Sequence, residues 1–314
     1  MSLKLFLALG SLLLPGTAAA LGQTSIPDWC KSLPRAEYKS LERVQISDPW
    51  FEVYKVAPDT FAIYEPHQFE ETISYLILGK QNALLFDTGM GIGDLREVVS
   101  ELTQLPVSVL NSHTHNDHVG SNWQFETIYS LDTEFSRENA KGSTTDAQAE
   151  LAPGQVCGEL PKDFDPKNYR TKPWTITKYV HDRDRIELGG RTLEIITAAG
   201  HTPDSLSLYD QANELLFTGD TYYPGPIWLY RPETDLLQYS ASVGRLALWA
   251  REARVLLGAH NVPVAPSTVL PILNLAAGEL QPATLRKKGH CKPAGTGKQV
   301  CDLEGISFLL RADR

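Results

Sequence analysis

Residues 111–122, with the sequence NSHTHNDHVGSN, concentrate side chains that bind metal ions. Three of the eight histidines of the chain, His113, His115 and His118, lie within six positions, and Asp117 stands between the second and the third. Neutral imidazole is the commonest metal ligand in proteins, and carboxylates bind the same borderline metals. A single ion cannot usually take all four donors from so short a loop, whereas two adjacent ions can. The spacing therefore predicts two neighbouring ions, with His113 and His115 on one and Asp117 and His118 on the other.

The secondary structure before residues 111–122 is predicted to place this segment at the end of a strand. Residues 93–105 have helical spacing, which places Leu95, Val98 and Leu102 on one face. Residues 106–112 then predict a strand that runs directly into the histidines. Further upstream, apolar runs of strand length are rich in Tyr, Ile, Val, Phe and Leu and are separated by turn residues. These runs are FEVYKVA, TFAIYE, SYLILG and NALLFDTG.

The second half of the chain repeats this alternation of strands and helices. Two strands are predicted around Gly189-Gly190, and two more around a turn near Asn213. A helix, a strand and a second helix follow, over residues 236–253, 254–260 and 266–280. Strand-rich blocks that are each followed by helices favour two packed sheets with helices outside.

The domain boundaries follow from composition. Residues 141–174 carry many Gly, Pro, Asp and Lys, which predicts a loop-rich insertion and not a separate domain. Residues 21–48 are polar and irregular, and they are predicted to extend over the domain surface. We therefore expect a single α/β domain over residues 49–314.

Five sequence motifs resemble those of the metallo-β-lactamase superfamily. HTHNDH matches its H-x-H-x-D-H motif, and the other motifs occur in the order of the family. They are LLFDTG with Asp87, AAGHTPDS with His201, LLFTGD with Asp220 and LLGAH with His260. The resemblance spans residues 50–280. It implies an αββα sandwich, in which two mixed β-sheets are flanked by helices and the metals lie at one edge of both sheets.

The resemblance also implies a role for each ligand. The first ion is expected to bind His113, His115 and His201, and the second Asp117, His118 and His260. Asp220 is expected to bridge them, and Asp87 to support the metal loop from a strand end. Two Zn²⁺ per chain are the expected cofactor, with other divalent metals as alternatives. His67, His181 and His290 match no motif.

Bound zinc lowers the pKa of water from about 15.7 to about 7, so a hydroxide nucleophile exists at neutral pH. Two ions that share this nucleophile would also polarise a carbonyl group and hold the oxyanion. The serine-hydrolase motif GxSxG is absent from the sequence. The chain is therefore predicted to be a metal-dependent hydrolase of a carboxylic ester, lactone or thioester with a small-molecule acyl substrate. A β-lactamase is the alternative, although true class B β-lactamases generally lack the bridging aspartate.

The segment after Asp220, GDTYYPGPIWLY, resembles the lactonase branch of the family and the acyl thioesterase branch found in animals. In the lactonase branch a tyrosine at the offset of Tyr223 points its hydroxyl at the substrate carbonyl, so Tyr223 is expected to stabilise the oxyanion. A packed core tyrosine is the alternative. Asp117 and Tyr223 are the candidate catalytic residues. The candidate residues of the substrate pocket are Trp228, Tyr230 and His67.

The N-terminus has the order of a secretory signal peptide. Lys4 precedes an apolar run over residues 5–14, and Pro15-Gly16 and small residues up to Ala20 follow. The run is shorter than the ~20 apolar residues that span a bilayer. We therefore expect cleavage after Ala20, export to the periplasm or the medium, and no stable membrane anchor.

Cysteine content and net charge agree with export and with a small-molecule substrate. Four cysteines in an exported chain favour disulfides. CKPAGTGKQVC is predicted to be a surface loop closed by Cys291 and Cys301, so Cys30 and Cys157 would tie the N-terminal extension to the insertion. The formal net charge of −9 and the lack of a basic cluster argue against nucleic acid as a partner. The sequence leaves the oligomeric state open.

Overall fold

The computed structural model describes residues 26–281, 284–285 and 291–313. The predicted signal peptide, residues 1–20, lies outside the described residues. The α-helices whose bounds lie in this part of the chain are α1 (Leu95–Leu102), α2 (Asn116–Val119), α3 (Glu134–Asn139), α4 (Thr145–Ala149), α5 (Leu236–Leu246) and α6 (Val269–Gly278). Short 3-10 helices cover Trp29–Ser32, Ala36–Ser40, Asn122–Gln124 and Ala247–Arg251. No helix within these ranges has the length and the apolar content needed to cross a membrane.

In the described residues, the first half of the chain forms an eight-stranded sheet whose strands lie in chain order. The strands are β1 (Glu42–Val44), β2 (Glu52–Ala57), β3 (Thr60–Tyr64), β4 (Ile73–Leu78), β5 (Ala83–Phe86), β6 (Val107–Leu110), β7 (Ile128–Leu131) and β8 (Lys178–Val180). β1 to β5 pair antiparallel, and β5 to β8 pair parallel. Because β5 and β6 are parallel, Asp87 and the histidine loop emerge at the same edge of the sheet.

The second half forms a six-stranded sheet among the described residues. In sheet order its strands are β15 (Ala265–Pro266), β14 (Val255–Gly258), β12 (Leu215–Gly219), β11 (Leu206–Asp210), β10 (Thr192–Thr197) and β9 (Arg185–Glu187). β12 and β14 are parallel, and the other pairs are antiparallel. Asp220 directly follows β12 and His260 lies two residues beyond β14, so both reach the same edge of this sheet.

The two sheets pack face to face through an apolar layer. The ring of Phe217 in β12 lies 5.3 Å from that of Tyr75 in β4 and 5.8 Å from that of Phe86 in β5, in edge-to-face contacts. α1 buries Leu95 and Val98 in an apolar cluster on the outer face of the first sheet. α5 and α6 belong to the corresponding cluster of the second sheet. The order helix, sheet, sheet, helix confirms the predicted αββα sandwich.

Backbone hydrogen bonds join the two sheets at the edge that carries the predicted metal ligands. Leu206 N donates to Ser112 O (2.8 Å), directly beside His113. Ile73 N donates to Ala259 O (2.7 Å), directly before His260. These contacts fix the histidine loop of the first sheet against the ligand loops of the second.

A third sheet of four strands, within the described residues, was not predicted from the sequence. In sheet order it consists of β13 (Ile227–Leu229), β18 (Ile306–Arg311), β17 (Lys298–Leu303) and β16 (Cys291–Pro293). Cys291 and Cys301 are register partners across β16 and β17 and form a disulfide. The segment predicted to be a closed surface loop is therefore a disulfide-linked β-hairpin, because its two ends pair as strands.

The N-terminal extension and the insertion pack against each other. Cys30 forms a disulfide with Cys157, as predicted, and Trp29 Nε1 donates to Gly154 O (2.8 Å). The insertion contains α4 and is otherwise irregular. Its Tyr169 and Trp174 are buried in the outer apolar cluster of the first sheet, so the insertion is part of the packed domain surface.

Candidate metal centre

The three histidines predicted for the first ion converge at the shared edge of the sheets. His113 and His115 follow β6, and His201 lies in the loop between β10 and β11. His115 Nδ1 lies 3.0 Å from His113 Nε2 and 3.1 Å from His201 Nε2. Three imidazole nitrogens at these separations can coordinate one ion, with a further position left for water or substrate.

The second group contains one carboxylate and two histidines. Asp117 and His118 lie on α2, and His260 follows β14. Asp117 Oδ2 lies 3.1 Å from His118 Nε2 and 3.6 Å from His260 Nε2. The structure thus brings together the residues predicted for the second ion, although the strands from β7 to β14 lie between His118 and His260 in the chain.

The carboxylate of Asp220 lies between the two groups. Its Oδ1 lies 3.0 Å from His260 Nε2 and 3.4 Å from His118 Nε2. Its Oδ2 lies 3.5 Å from His201 Nε2. Each carboxylate oxygen therefore faces one of the two groups, which is the geometry expected of a ligand that bridges two ions.

Two buried atoms of this cluster indicate that a metal fits the site. His118 Nε2 and Asp220 Oδ1 are buried and have no hydrogen-bond partner of suitable geometry in the described residues. A buried polar atom without a partner costs about 1–3 kcal/mol. Both atoms face the space that the second group surrounds, so one divalent ion would satisfy both.

Each metal-facing histidine has a second ring nitrogen that points away from the cluster, and this nitrogen has a partner of its own. His118 Nδ1 lies 3.0 Å from Asp87 Oδ2, and Asp87 Oδ1 accepts a hydrogen bond from Ser112 N (2.6 Å). Asp87, predicted to support the metal loop, thus contacts both His118 and the backbone beside His113. Such contacts fix the tautomer and the ring orientation of metal-ligating histidines.

Three further supports were not predicted from the sequence. His115 Nε2 lies 2.7 Å from Glu233 Oε1. His201 Nδ1 lies 2.8 Å from Trp228 O, and His260 Nδ1 lies 2.7 Å from Glu70 O. Two of these partners are backbone carbonyls, which every residue type carries, so no sequence signal marks them.

Close backbone contact shapes the loop that follows β5. Gly89 has a φ of +61°, and a Cβ at this position would overlap with Glu65 Oε1. Gly120 N donates to Gly89 O (2.8 Å), and Thr88 N donates to His118 O (2.9 Å). The positive φ and the nearby carboxylate of Glu65 both favour glycine at position 89.

Burial and charge separate the pKa values of the cluster. Burial lowers the pKa of His201 to about 4, and it lowers that of His113 well below its usual value. Burial also disfavours the charged form of His260, but the Asp220 carboxylate outweighs it and raises the pKa of His260 to about 9. Burial opposes ionisation of Asp117, yet the neighbouring His118 holds the pKa of this carboxyl well below its usual range. His113 and His201 are thus neutral, and the Asp117 carboxylate is ionised, as metal ligands must be.

Residues 69–263 match the sequence model of the metallo-β-lactamase superfamily. The chain belongs to this superfamily. Human acyl-coenzyme A thioesterase MBLAC2 is 25% identical over 184 residues, which are 55% of this chain and 66% of the human protein. Hydroxyacylglutathione hydrolase GloC of Haemophilus influenzae is 22% identical over 165 residues, which are 51% of this chain and 70% of that protein. The match to MBLAC2 thus covers just under two thirds of that protein.

A solved structure agrees with the fold of this superfamily. The stereoselective inverting sec-alkylsulfatase Pisa1 from Pseudomonas sp. superposes with a TM-score of 0.57 and 17% identity, over 74% of this chain and 42% of that chain. At this identity the similarity shows the fold alone. The superfamily is one of metallo-hydrolases that usually bind divalent metals, and the two groups of ligands described above can hold them.

In this superfamily member, Tyr223 is buried beside the second group of ligands. Its ring centroid lies 4.9 Å from that of His260, and its hydroxyl oxygen accepts a hydrogen bond from Trp228 N (3.0 Å). Burial raises the pKa of Tyr223 well above its usual value, so the hydroxyl keeps its proton. Within the described residues this hydroxyl accepts a hydrogen bond and donates none.

The three residues predicted for the substrate pocket lie in different places. Trp228 and Tyr230 are half-buried, and their ring centroids are 5.5 Å apart. The carbonyl of Trp228, in β13, contacts His201. His67 instead lies 5.3 Å from the ring of Trp50, and its Nδ1 lies 3.1 Å from Cys157 O. The structure thus places His67 between the core and the insertion, outside the groups of metal-facing residues in the described chain.

Proposed function

We propose that this protein is an exported hydrolase that holds two zinc ions and cleaves an acyl thioester, with ester and lactone bonds as related substrates. The position of Asp220 carries the proposal. Its two oxygens face two separate groups of candidate ligands, which supports a pair of neighbouring metal sites within one chain.

The names of two relatives support the thioester among the acyl substrates. MBLAC2 is named an acyl-coenzyme A thioesterase and GloC a hydroxyacylglutathione hydrolase, and both named compounds are acyl thioesters. The proposal of export depends on the N-terminal sequence, and the two disulfides support it because such bonds persist in oxidising compartments.

Divalent ions in this centre would lower the pKa of water and polarise the substrate carbonyl. The residues of the chain would orient the reacting groups. Asp87 and Glu233 fix the rings of His118 and His115 through their outer nitrogens. The protonated hydroxyl of Tyr223, placed against His260, would donate to the carbonyl oxygen as negative charge develops on it.

A substrate panel tests this proposal on zinc-loaded protein produced from the full chain. It contains an acyl thioester, an acyl-homoserine lactone, a nitrophenyl ester and nitrocefin, each assayed with and without a chelator. Elemental analysis of the same protein samples gives their metal content. We expect about two zinc ions per chain and chelator-sensitive turnover that is highest on the thioester. Turnover of nitrocefin well above the others would instead indicate a β-lactamase, and a single iron would indicate oxygen chemistry.

A further inference from the structure

Two cationic side chains approach the same aromatic ring beside the metal centre. Lys298 Nζ lies 3.7 Å from the centroid of the Tyr230 ring and 5.9 Å from that of Trp228. Arg231 Cζ lies 5.7 Å from the centroid of the Tyr230 ring. All four residues are half-buried, so the two charges are partly removed from water.

Neither cation has an acidic partner within ion-pair distance in the described residues. Burial and the nearby charge of Arg231 lower the pKa of Lys298, and Glu70 acts in the opposite direction without reaching it. Burial opposes the charge of Arg231, but Tyr230 and the carboxylates of Asp117, Glu233 and Glu150, which lie beyond ion-pair distance, raise its pKa, so the guanidinium stays positive. The two like charges still repel each other, and an anion bound between them would relieve this repulsion.

Arg231 lies next to the metal centre, and Lys298 lies over the same Tyr230 ring that Arg231 approaches. Trp228 O lies 2.8 Å from His201 Nδ1, so the strand before Tyr230 contacts a metal-facing histidine. Arg231 also lines a cavity of about 310 Å³, together with His115 and Phe135. A substrate whose carbonyl lies at the metals can therefore extend one end towards Arg231 and Lys298.

The C-terminal sheet holds Lys298 in this place. Lys298 is the first residue of β17, and its register partner is Arg311 in β18. β18 in turn pairs with β13, where Leu309 lies opposite Trp228. The disulfide between Cys291 and Cys301 links the strands of the hairpin that carries the lysine. This scaffold fixes the ammonium group over the ring of Tyr230 and not in open solvent.

We propose that Arg231 and Lys298, together with the ring of Tyr230, form a subsite for an anionic group of the substrate. The group is a phosphate or a carboxylate on the part of the substrate away from the scissile carbonyl. The planar guanidinium matches both anions through paired hydrogen bonds, and the ammonium adds a point charge. The inference rests on the proposed hydrolytic function and narrows its substrates to anionic thioesters.

Three thioesters with one acyl group test the subsite by kinetics. Their thiols are coenzyme A, which carries phosphates, mercaptosuccinate, which carries carboxylates, and neutral N-acetylcysteamine. We expect Lys298→Gln and Arg231→Gln each to reduce the preference in kcat/KM for an anionic over the neutral thioester by about 10-fold or more, mainly through KM. Lys298→Arg, which keeps the charge, should retain the preference.

Lys80→Gln is the matched control. Lys80 is exposed and precedes β5, at the opposite end of the strand from Asp87, so this variant removes one positive charge far from the centre. Its preference should equal that of the wild type. The proposal is overturned if the wild type shows no preference for either anionic thioester, or if the glutamine variants keep the same preference as the control.

Binding of non-hydrolysable thioethers tests the subsite independently of catalysis. The S-hexyl derivatives of the same three thiols are titrated into zinc-loaded protein by calorimetry. Tighter binding of one anionic derivative, lost in Lys298→Gln and Arg231→Gln, supports the subsite and identifies phosphate or carboxylate as its ligand. Such binding without turnover of any thioester would refute the proposed hydrolysis and leave the subsite standing. Equal binding of all three derivatives would overturn the subsite even if thioesters are cleaved.

Discussion

Glu233 Oε1 lies 2.7 Å from His115 Nε2, and the two residues are 118 positions apart in the chain. His115 Nδ1 faces His113 and His201, so the proton of the imidazole belongs on Nε2, which donates it to the carboxylate. Glu233 thereby fixes both the tautomer and the direction of a histidine that lies at the centre of the first group of ligands.

Glu233→Ala should weaken binding of the first zinc ion by about 10- to 100-fold, because His115 loses the partner that orients it. Glu233→Gln should lose less, since its amide oxygen still accepts the hydrogen bond. The zinc dissociation constant, measured by competition with a chromophoric chelator, checks this order. Glu126→Gln is the control, because Glu126 is exposed and has no described contact with the centre. Equal zinc affinity of all variants would remove Glu233 from the site.

Asp220→Asn should reduce turnover by at least about 1000-fold and leave fewer than two zinc ions per chain. A neutral amide binds divalent metals more weakly than a carboxylate, and Asp220 faces both groups of ligands. Elemental analysis and kcat on the best substrate measure the two effects. Circular dichroism at equal protein concentration shows whether the fold is retained. A folded variant with two zinc ions and near-normal turnover would contradict the bridging role.

Tyr223→Phe should lower kcat by about 10- to 1000-fold with a smaller change in KM, if the hydroxyl donates to the developing oxyanion. The same substitution at the neighbouring Tyr222, whose ring belongs to the outer apolar cluster of the second sheet, is the matched control and should leave kcat near the wild-type value. Equal rates for the two variants would make Tyr223 a packing residue.

The candidate ligands could be proposed from the sequence because each of them belongs to a short local motif that resembles one of the family. His113, His115, Asp117 and His118 are neighbours in the chain, and Asp220 directly follows a strand. Glu233 could not be found in this way, because its contact with His115 exists only once the sheets have joined. The cation over Tyr230 is a similar case. Lys298 reaches that ring through the pairing of β13 with β18, and nothing in a local pattern indicates which strands pair.

The elements show the same division between local and non-local information. The strands from β2 to β6 and the helix α1 follow from periodicity and turn residues within each segment. The segment CKPAGTGKQVC, which forms the hairpin of β16 and β17, is predicted from the sequence to be a surface loop closed by its two cysteines. Its strand structure depends on partners, because β17 is held by β16 on one side and by β18 on the other.

Glu65 supplies a prediction about stability and pH. Its carboxyl is buried and accepts hydrogen bonds from Trp50 Nε1 (2.7 Å) and Met90 N (2.8 Å). Burial outweighs these bonds and raises the pKa of Glu65 to about 7 from its ordinary 4.5. Between these values the folded chain retains a proton that the unfolded chain releases. Stability contributed by this group is therefore lost as the pH rises through this window, and the loss is complete above the folded pKa.

Glu65→Gln removes this titration, so the free energy of unfolding of the wild type relative to the variant should fall by about 2 kcal/mol between pH 5 and pH 8. Urea unfolding at pH 5, 6, 7 and 8 measures the difference, with a chelator present throughout so that metal affinity does not enter. Glu126→Gln removes an exposed carboxyl and should run parallel to the wild type over the same range. A constant difference between wild type and Glu65→Gln would show that Glu65 is ionised in the folded protein at pH 5. In that case its two hydrogen bonds would outweigh the cost of its burial.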